Sequence, residues 1–190
     1  MNISDYNPGI YSASKIWHNI KWRELRDKHG FNITARWINE ECGTYENPTG
    51  AKVFSPAEKT QLWLECEHDV KVADFTAIYG EPRDEMRGGT VEFGMSIGFN
   101  NPVYVIGKCP FFGANSHSDA AYMHHPLVHR IEVDYDSKTE SYDWLTGYRI
   151  ARLHYLDLYH TPERVFRKTG FLNAGSSSGR PRLYQKAIAA

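Results

Sequence analysis

The feature that most limits what this chain can fold into is an alternation. Short apolar runs of strand length recur along it, separated by stretches whose apolar residues are spaced for a helix. Residues 9–14 read as a first strand running into a turn of small residues, and 31–38 as a second, alternating around Ile33, Ala35 and Trp37. Residues 75–79, 103–106 and 127–133 supply the third, fourth and fifth. Between the first two strands, Ile16, Trp17, Ile20 and Leu25 keep roughly helical spacing until Gly30 stops the helix. Ser55-Pro56-Ala57-Glu58 opens another helix, with an N-cap, a proline at the first position and an acid behind it, and that helix runs to about Val72. Strand–helix alternation of this kind predicts a parallel sheet with helices on both faces. Such sheets take ligands at the carboxyl ends of their strands, near the switch in strand order. That edge would gather the turn at 11–14, the loop at 79–89 and Glu92.

Residues 86–107 are the central unit of the pattern. Gly88-Gly89 can follow a backbone path closed to other residues, and Thr90 is the expected N-cap of a helix. Glu92 would then sit in the first turn, where unpaired N–H groups favour negative charge. Asn100-Asn101-Pro102 ends the helix ahead of the fourth strand. A lone acid held at a helix start beside a glycine turn can present a carboxylate to a ligand.

Composition excludes several classes. At 190 residues and a net charge of −1, the chain has room for one domain with an appendage and no global pull toward nucleic acid or membrane. No apolar run reaches membrane-spanning length, and the N-terminal residues lack the pattern of a signal peptide. Cys42, Cys66 and Cys109 are odd in number and widely spaced, which predicts free thiols in a reducing cytosol. His125 and His129 are four apart, but Pro126 and the following strand separate them, so no metal site is expected there. Residues 137–147 read as a polar, aromatic helix that closes a first unit at 148. Residues 149–190 read as a helical extension with a basic terminal arm.

At Ile10-Tyr11-Ser12-Ala13-Ser14 and Gly89-Thr90-Val91-Glu92-Phe93-Gly94, with Ala73-Asp74 between them, the chain resembles the nucleoside 2-deoxyribosyltransferase family and its relatives, the nucleotide N-glycosidases. The resemblance covers residues 9–146 in order of elements. It implies a flavodoxin-like, Rossmann-like α/β fold of five parallel strands, with no cofactor and association into homo-oligomers. By the same resemblance Glu92 is the nucleophile at the anomeric carbon, and Tyr11 positions it. Ser12, Ser14, Gly89 and Thr90 cradle the sugar or its phosphate, and Trp17 packs on the base. The family's aspartate ahead of the Ala-Asp pair is replaced here by Cys66. Asp69, one turn on, is the stand-in acid, with Asp74 behind it.

The chemistry matches these residue types. Breaking an N-glycosidic bond builds positive charge on the sugar, which a nearby carboxylate can stabilise or attack. The leaving base needs a proton or a hydrogen bond, which a second acid can supply. The expectation is a cytoplasmic enzyme cleaving or transferring at the N-glycosidic bond of a nucleoside or nucleoside 5′-monophosphate. The alternatives are an NAD glycohydrolase and a nucleotide-binding sensor without turnover.

Overall fold

A computed structural model describes residues 6–40, 54–110 and 121–159 of the chain. Four parallel strands form one sheet in the order β1 (Ile10–Ala13), β2 (Phe75–Gly80), β3 (Val103–Gly107), β4 (Val128–Ile131). Every residue of β1 and β2 is buried, as expected of strands covered on both faces, although β1 is an edge of the sheet. The register pairs Tyr11 with Thr76 and Ser12 with Ala77, so Tyr11 and Ser12 point to opposite faces.

Helices α1 (Asn19–Asp27) and α4 (Trp144–Tyr159) cover one face. There Trp22, Tyr79 and Tyr148 pack as a fully buried aromatic layer, and Phe75 meets Tyr104 and Tyr155. Helices α2 (Pro56–Val72) and α3 (Arg87–Gly98) pack together on the other face. The start of α2 is the capping box that its sequence promises. Ser55 Oγ accepts the Glu58 N–H, Glu58 Oε2 accepts the Ser55 N–H, and Pro56 stands at the first position.

The expected second strand does not form. It shrinks to a single parallel bridge between Ile10 and Ile33, so among the described residues the sheet has four strands rather than five. The ladder begins normally, with Ile10 N–H donating to Asn32 O and Thr34 N–H to Ile10 O. It then loses its next pair of partners. The Arg36 N–H donates to Asp69 Oδ2 at 2.9 Å, and the Ser12 carbonyl accepts the Trp37 indole N–H at 2.9 Å. Side chains have taken the groups that a fifth strand needs, and the chain turns into a 3-10 helix at Arg36–Asn39.

Residues 137–147 are not the expected helix. Part of this stretch joins a two-stranded antiparallel ribbon, β5 (Tyr135–Asp136) and β6 (Ser141–Tyr142), and α4 begins only at Trp144. The ribbon lies over the carboxyl edge of the sheet. Tyr79 Oη and Ser141 Oγ are 3.0 Å apart, both bond Glu81 Oε1, and the Lys21 ammonium reaches all three. Gly107, at φ +81°, lets the Tyr142 ring sit where a Cβ would otherwise stand 2.7 Å away. The terminal arm, residues 180–190, and Cys42 lie outside the described residues. No helix among the described residues is long and apolar enough to cross a membrane.

Candidate active site

Tyr11 and Glu92 meet on the α2/α3 face of the sheet. The Tyr11 hydroxyl donates to Glu92 Oε1 at 2.5 Å, joining residues 81 positions apart. Both side chains are buried, Tyr11 completely and Glu92 to 7 % exposure. The Glu92 helix is held against β2 by a second polar contact. Ser96 Oγ donates to the Glu92 carbonyl at 2.7 Å and lies 2.7 Å from Thr76 Oγ1, a lock that no local sequence signal announced.

Burial pushes the Glu92 carboxyl from 4.5 up to about 7, and the Tyr11 O–H partly holds it down by stabilising the anion. Tyr11 itself is driven well above its ordinary range by burial and then by the Glu92 charge, so it stays protonated and donates. Cys66 of α2 stands beside this pair. Burial lifts its thiol to about 11, and the nearby carboxylates of Glu92, Asp69 and Glu65 add to the rise. A thiol in that setting is a small buried side chain, not a nucleophile.

The start of α3 differs from its expected form. The helix begins at Arg87, with Met86 at the N-cap and no side-chain cap, so Gly88, Gly89 and Thr90 are helical residues. Thr90 Oγ1 donates to Met86 O at 2.6 Å instead of capping. Glu92 therefore sits in the second turn, where the dipole of the helix end has weakened and burial dominates its acidity. Gly89 packs on Met86, whose methyl would lie 2.6 Å from an added Cβ, while Gly88 faces open space.

The other expected site residues divide. Asp69 is buried on α2, and its carboxylate accepts both the backbone N–H and the Nε–H of Arg36. It stands beside Cys66, close to the Glu92 pair, but already engaged. Ser12 is fully buried on the opposite face of the sheet, next to Tyr148. Ser14 Oγ accepts the Trp22 indole N–H at 2.8 Å and donates to Lys15 O at 2.9 Å. Asp74 lies at the amino edge of the sheet, where it accepts from Tyr6 Oη at 2.6 Å and Gly9 N at 2.8 Å. From these places neither the Ser12 hydroxyl nor the Asp74 carboxylate reaches the Tyr11–Glu92 pair. Trp17 is half-buried in the 3-10 turn Ile16–His18 after β1, with the Lys15 ammonium 4.9 Å from its ring centre.

A second polar cluster occupies the same sheet edge and was not legible in the sequence. His18 follows β1, whereas Glu81 and Asp84 follow β2. Nε2 of His18 lies 2.9 Å from Asp84 Oδ2 and 3.9 Å from Glu81 Oε2. Lys21 Nζ neutralises Glu81 at 2.5 Å, and the Glu81 N–H donates to Asp84 Oδ2. One ligand atom from each of His18, Glu81 and Asp84 falls within 4.8 Å of the others. Lys21 already engages Glu81 and His18 already engages Asp84, so the set reads as a hydrogen-bonded cluster across the two loops, not as an open cation site.

No family model matches the chain, and no curated protein does at the level of sequence. Among solved structures it is similar to a 2-deoxyribosyltransferase from the psychrotolerant bacterium Bacillus psychrosaccharolyticus, with 20% identity and a TM-score of 0.46 over 70% of this chain and 96% of that one. It is also similar to the CMP N-glycosidase BcmB of Clostridium botulinum, with 14% identity and a TM-score of 0.39 over 75% of this chain and 98% of that one.

Proposed function

We propose that the chain is an enzyme acting at the N-glycosidic bond of a nucleoside or nucleoside 5′-monophosphate, with Glu92 as nucleophile. The observation that supports this reading above all others is the buried Glu92 carboxylate held by the Tyr11 hydroxyl at 2.5 Å. An isolated buried acid costs stability, and such a cost is commonly retained where a carboxylate has work to do. The donor on Oε1 fixes the carboxylate plane and leaves Oε2 as the attacking atom.

In this mechanism Oε2 approaches the anomeric carbon as the bond to the base lengthens. The anion stabilises the oxocarbenium-like transition state and then closes to a glycosyl ester. Water or a second base reopens the ester from the same face, so the anomeric configuration is retained. A carboxyl near 7 is ionised in about half of the molecules at neutral pH. Low polarity around it strengthens its attraction to the developing positive charge. Tyr11 acts through Glu92 as a positioning residue. Gly88, Gly89 and Thr90 form the α3 wall that the sugar would meet, and Trp17 the platform for the base. Asp69, committed to Arg36, holds the α2 wall in register with Tyr11.

The test is incubation with a panel of nucleosides, nucleoside 5′-monophosphates and NAD, following free base by chromatography. The reading expects base release from at least one nucleoside or monophosphate and its loss in Glu92→Gln. Release from NAD alone would shift the substrate class to a dinucleotide, and turnover that survives Glu92→Gln would remove the mechanism.

A further inference from the structure

The His18–Asp84 pair is buried, joins two loops, and has no part in holding Glu92. His18 comes from the segment after β1, which leads to α1 on one face. Asp84 comes from the segment after β2, which leads to α3 on the other. These two loops diverge to opposite faces at the switch in chain direction, where open α/β sheets bind their ligands. His18 and Asp84 reach across that divide and bond at 2.9 Å.

The bonding pattern fixes the imidazole. Asp84 Oδ2 accepts the Glu81 N–H, and as an ionised carboxylate, which can only accept, it takes the proton of His18 Nε2 as well. Among the described residues no group bonds His18 Nδ1 or Asp84 Oδ1. The ring is clamped edge-on to Tyr79, with ring centres 5.1 Å apart and an interplanar angle of 89°. An imidazole oriented by a carboxylate on one nitrogen, with the other nitrogen open, is the arrangement that moves a proton to or from a substrate. Trp17, the platform for the base, is the neighbouring residue in the same turn.

We infer that His18, oriented by Asp84, is the proton donor to the departing base. This rests on the glycosidic reading above. When Glu92 attacks the anomeric carbon, the electron pair of the breaking bond passes into the base. His18 enters this step as the imidazolium, Nε2–H on Asp84 and a second proton taken from solvent on Nδ1, and the Nδ1 proton moves to a ring nitrogen or carbonyl oxygen of that base. The products are a neutral base, a neutral imidazole and the glycosyl ester. Water then opens the ester, its hydroxyl going to the sugar and its proton back to His18, and Glu92 returns as carboxylate. The substrate class is thereby narrowed to natural purine or pyrimidine bases, which leave slowly unless protonated.

The test compares two leaving groups on the sugar that the wild-type enzyme accepts. One is the natural base and the other 4-nitrophenol, which departs as an anion without a proton. Asp84→Asn and His18→Gln, each checked for fold by circular dichroism, are expected to lose about 100-fold or more in kcat/KM on the natural base. On the nitrophenyl glycoside their kcat/KM, which reports only the steps through ester formation, is expected to stay within about 3-fold of wild type, whereas Glu92→Gln loses both activities. Equal losses on both substrates in folded variants would assign His18 a structural role and overturn the inference, as would no loss on either. Base release and nitrophenol release that both survive Glu92→Gln would instead overturn the glycosidic reading itself. If His18→Gln fails to fold, Asp84→Asn carries the comparison alone, because it keeps the shape of the cluster.

Discussion

Replacing Glu92 by glutamine should make the protein more stable, and only above a definable pH. Burial lifts the carboxyl from 4.5 to about 7 in the folded state. Below about pH 4.5 it is protonated whether the chain is folded or not, and glutamine is then a near-equal substitute that still accepts from Tyr11. Between those values the folded protein binds a proton that the unfolded chain has released, so stability falls as pH rises. Above about pH 7 the whole difference is in force, about 3 kcal/mol for a shift of this size. The side chain is 7 % exposed, so solvent relieves little of this. Urea denaturation of wild type and Glu92→Gln at pH 4.5, 6 and 8 measures it. The variant should match wild type at the lowest pH and exceed it by about 2–3 kcal/mol at the highest, a rise in Tm of roughly 5–10 °C for a chain of this size. A difference that does not change with pH, or a variant less stable at pH 8, would refute the claim that Glu92 is held charged at a cost.

Three further outcomes follow from the same contacts. Tyr11→Phe removes the donor that holds the Glu92 carboxyl down, so the rising limb of the pH–kcat/KM profile should move to higher pH. Activity at pH 7 should fall by roughly 10- to 100-fold, as for loss of one preorganised donor. Asp74→Ala strips partners from Tyr6 and from the Gly9 N–H at the amino edge, and should cost about 1–3 kcal/mol in denaturant titration with kcat unchanged in the folded fraction. Gly107→Ala places a Cβ 2.4 Å from Gly80 O at a φ of +81° and should cost about 2 kcal/mol or more, with a change in near-ultraviolet dichroism as Tyr142 is displaced.

The sequence made the inner strands β2 and β3 plain because each is a nearly continuous apolar run, and a run buried on both faces has little else it can be. It announced α2 through a reciprocal cap that is wholly local. It misjudged residues 31–38 because alternation measures burial, not ladder partners. Trp37 and Arg36 are buried or bonded as a strand would require, yet they spend their donors on Ser12 O and Asp69. Thr90 misled for a similar reason, since a threonine beside a helix start can bond backward to a carbonyl as readily as cap. Within the site, the resemblance paired Tyr11 with Glu92 across 81 residues, and the two side chains do meet. It also put Ser12 with them, but strand alternation sends that hydroxyl to the other face. His18 and Asp84 were invisible as a pair because 66 residues separate them and neither belongs to a local motif. Only the packing of two loops at one sheet edge brings them together.

A nucleophilic Glu92 must form a covalent bond to the sugar. Incubation with a nucleoside carrying fluorine at the 2′ position slows breakdown of a glycosyl ester, and peptide mass spectrometry of the trapped protein locates it. One added glycosyl mass is expected, on the peptide containing Glu92, and none in Glu92→Gln. Base release without any adduct, or an adduct on Asp69 or Asp84, would contradict it.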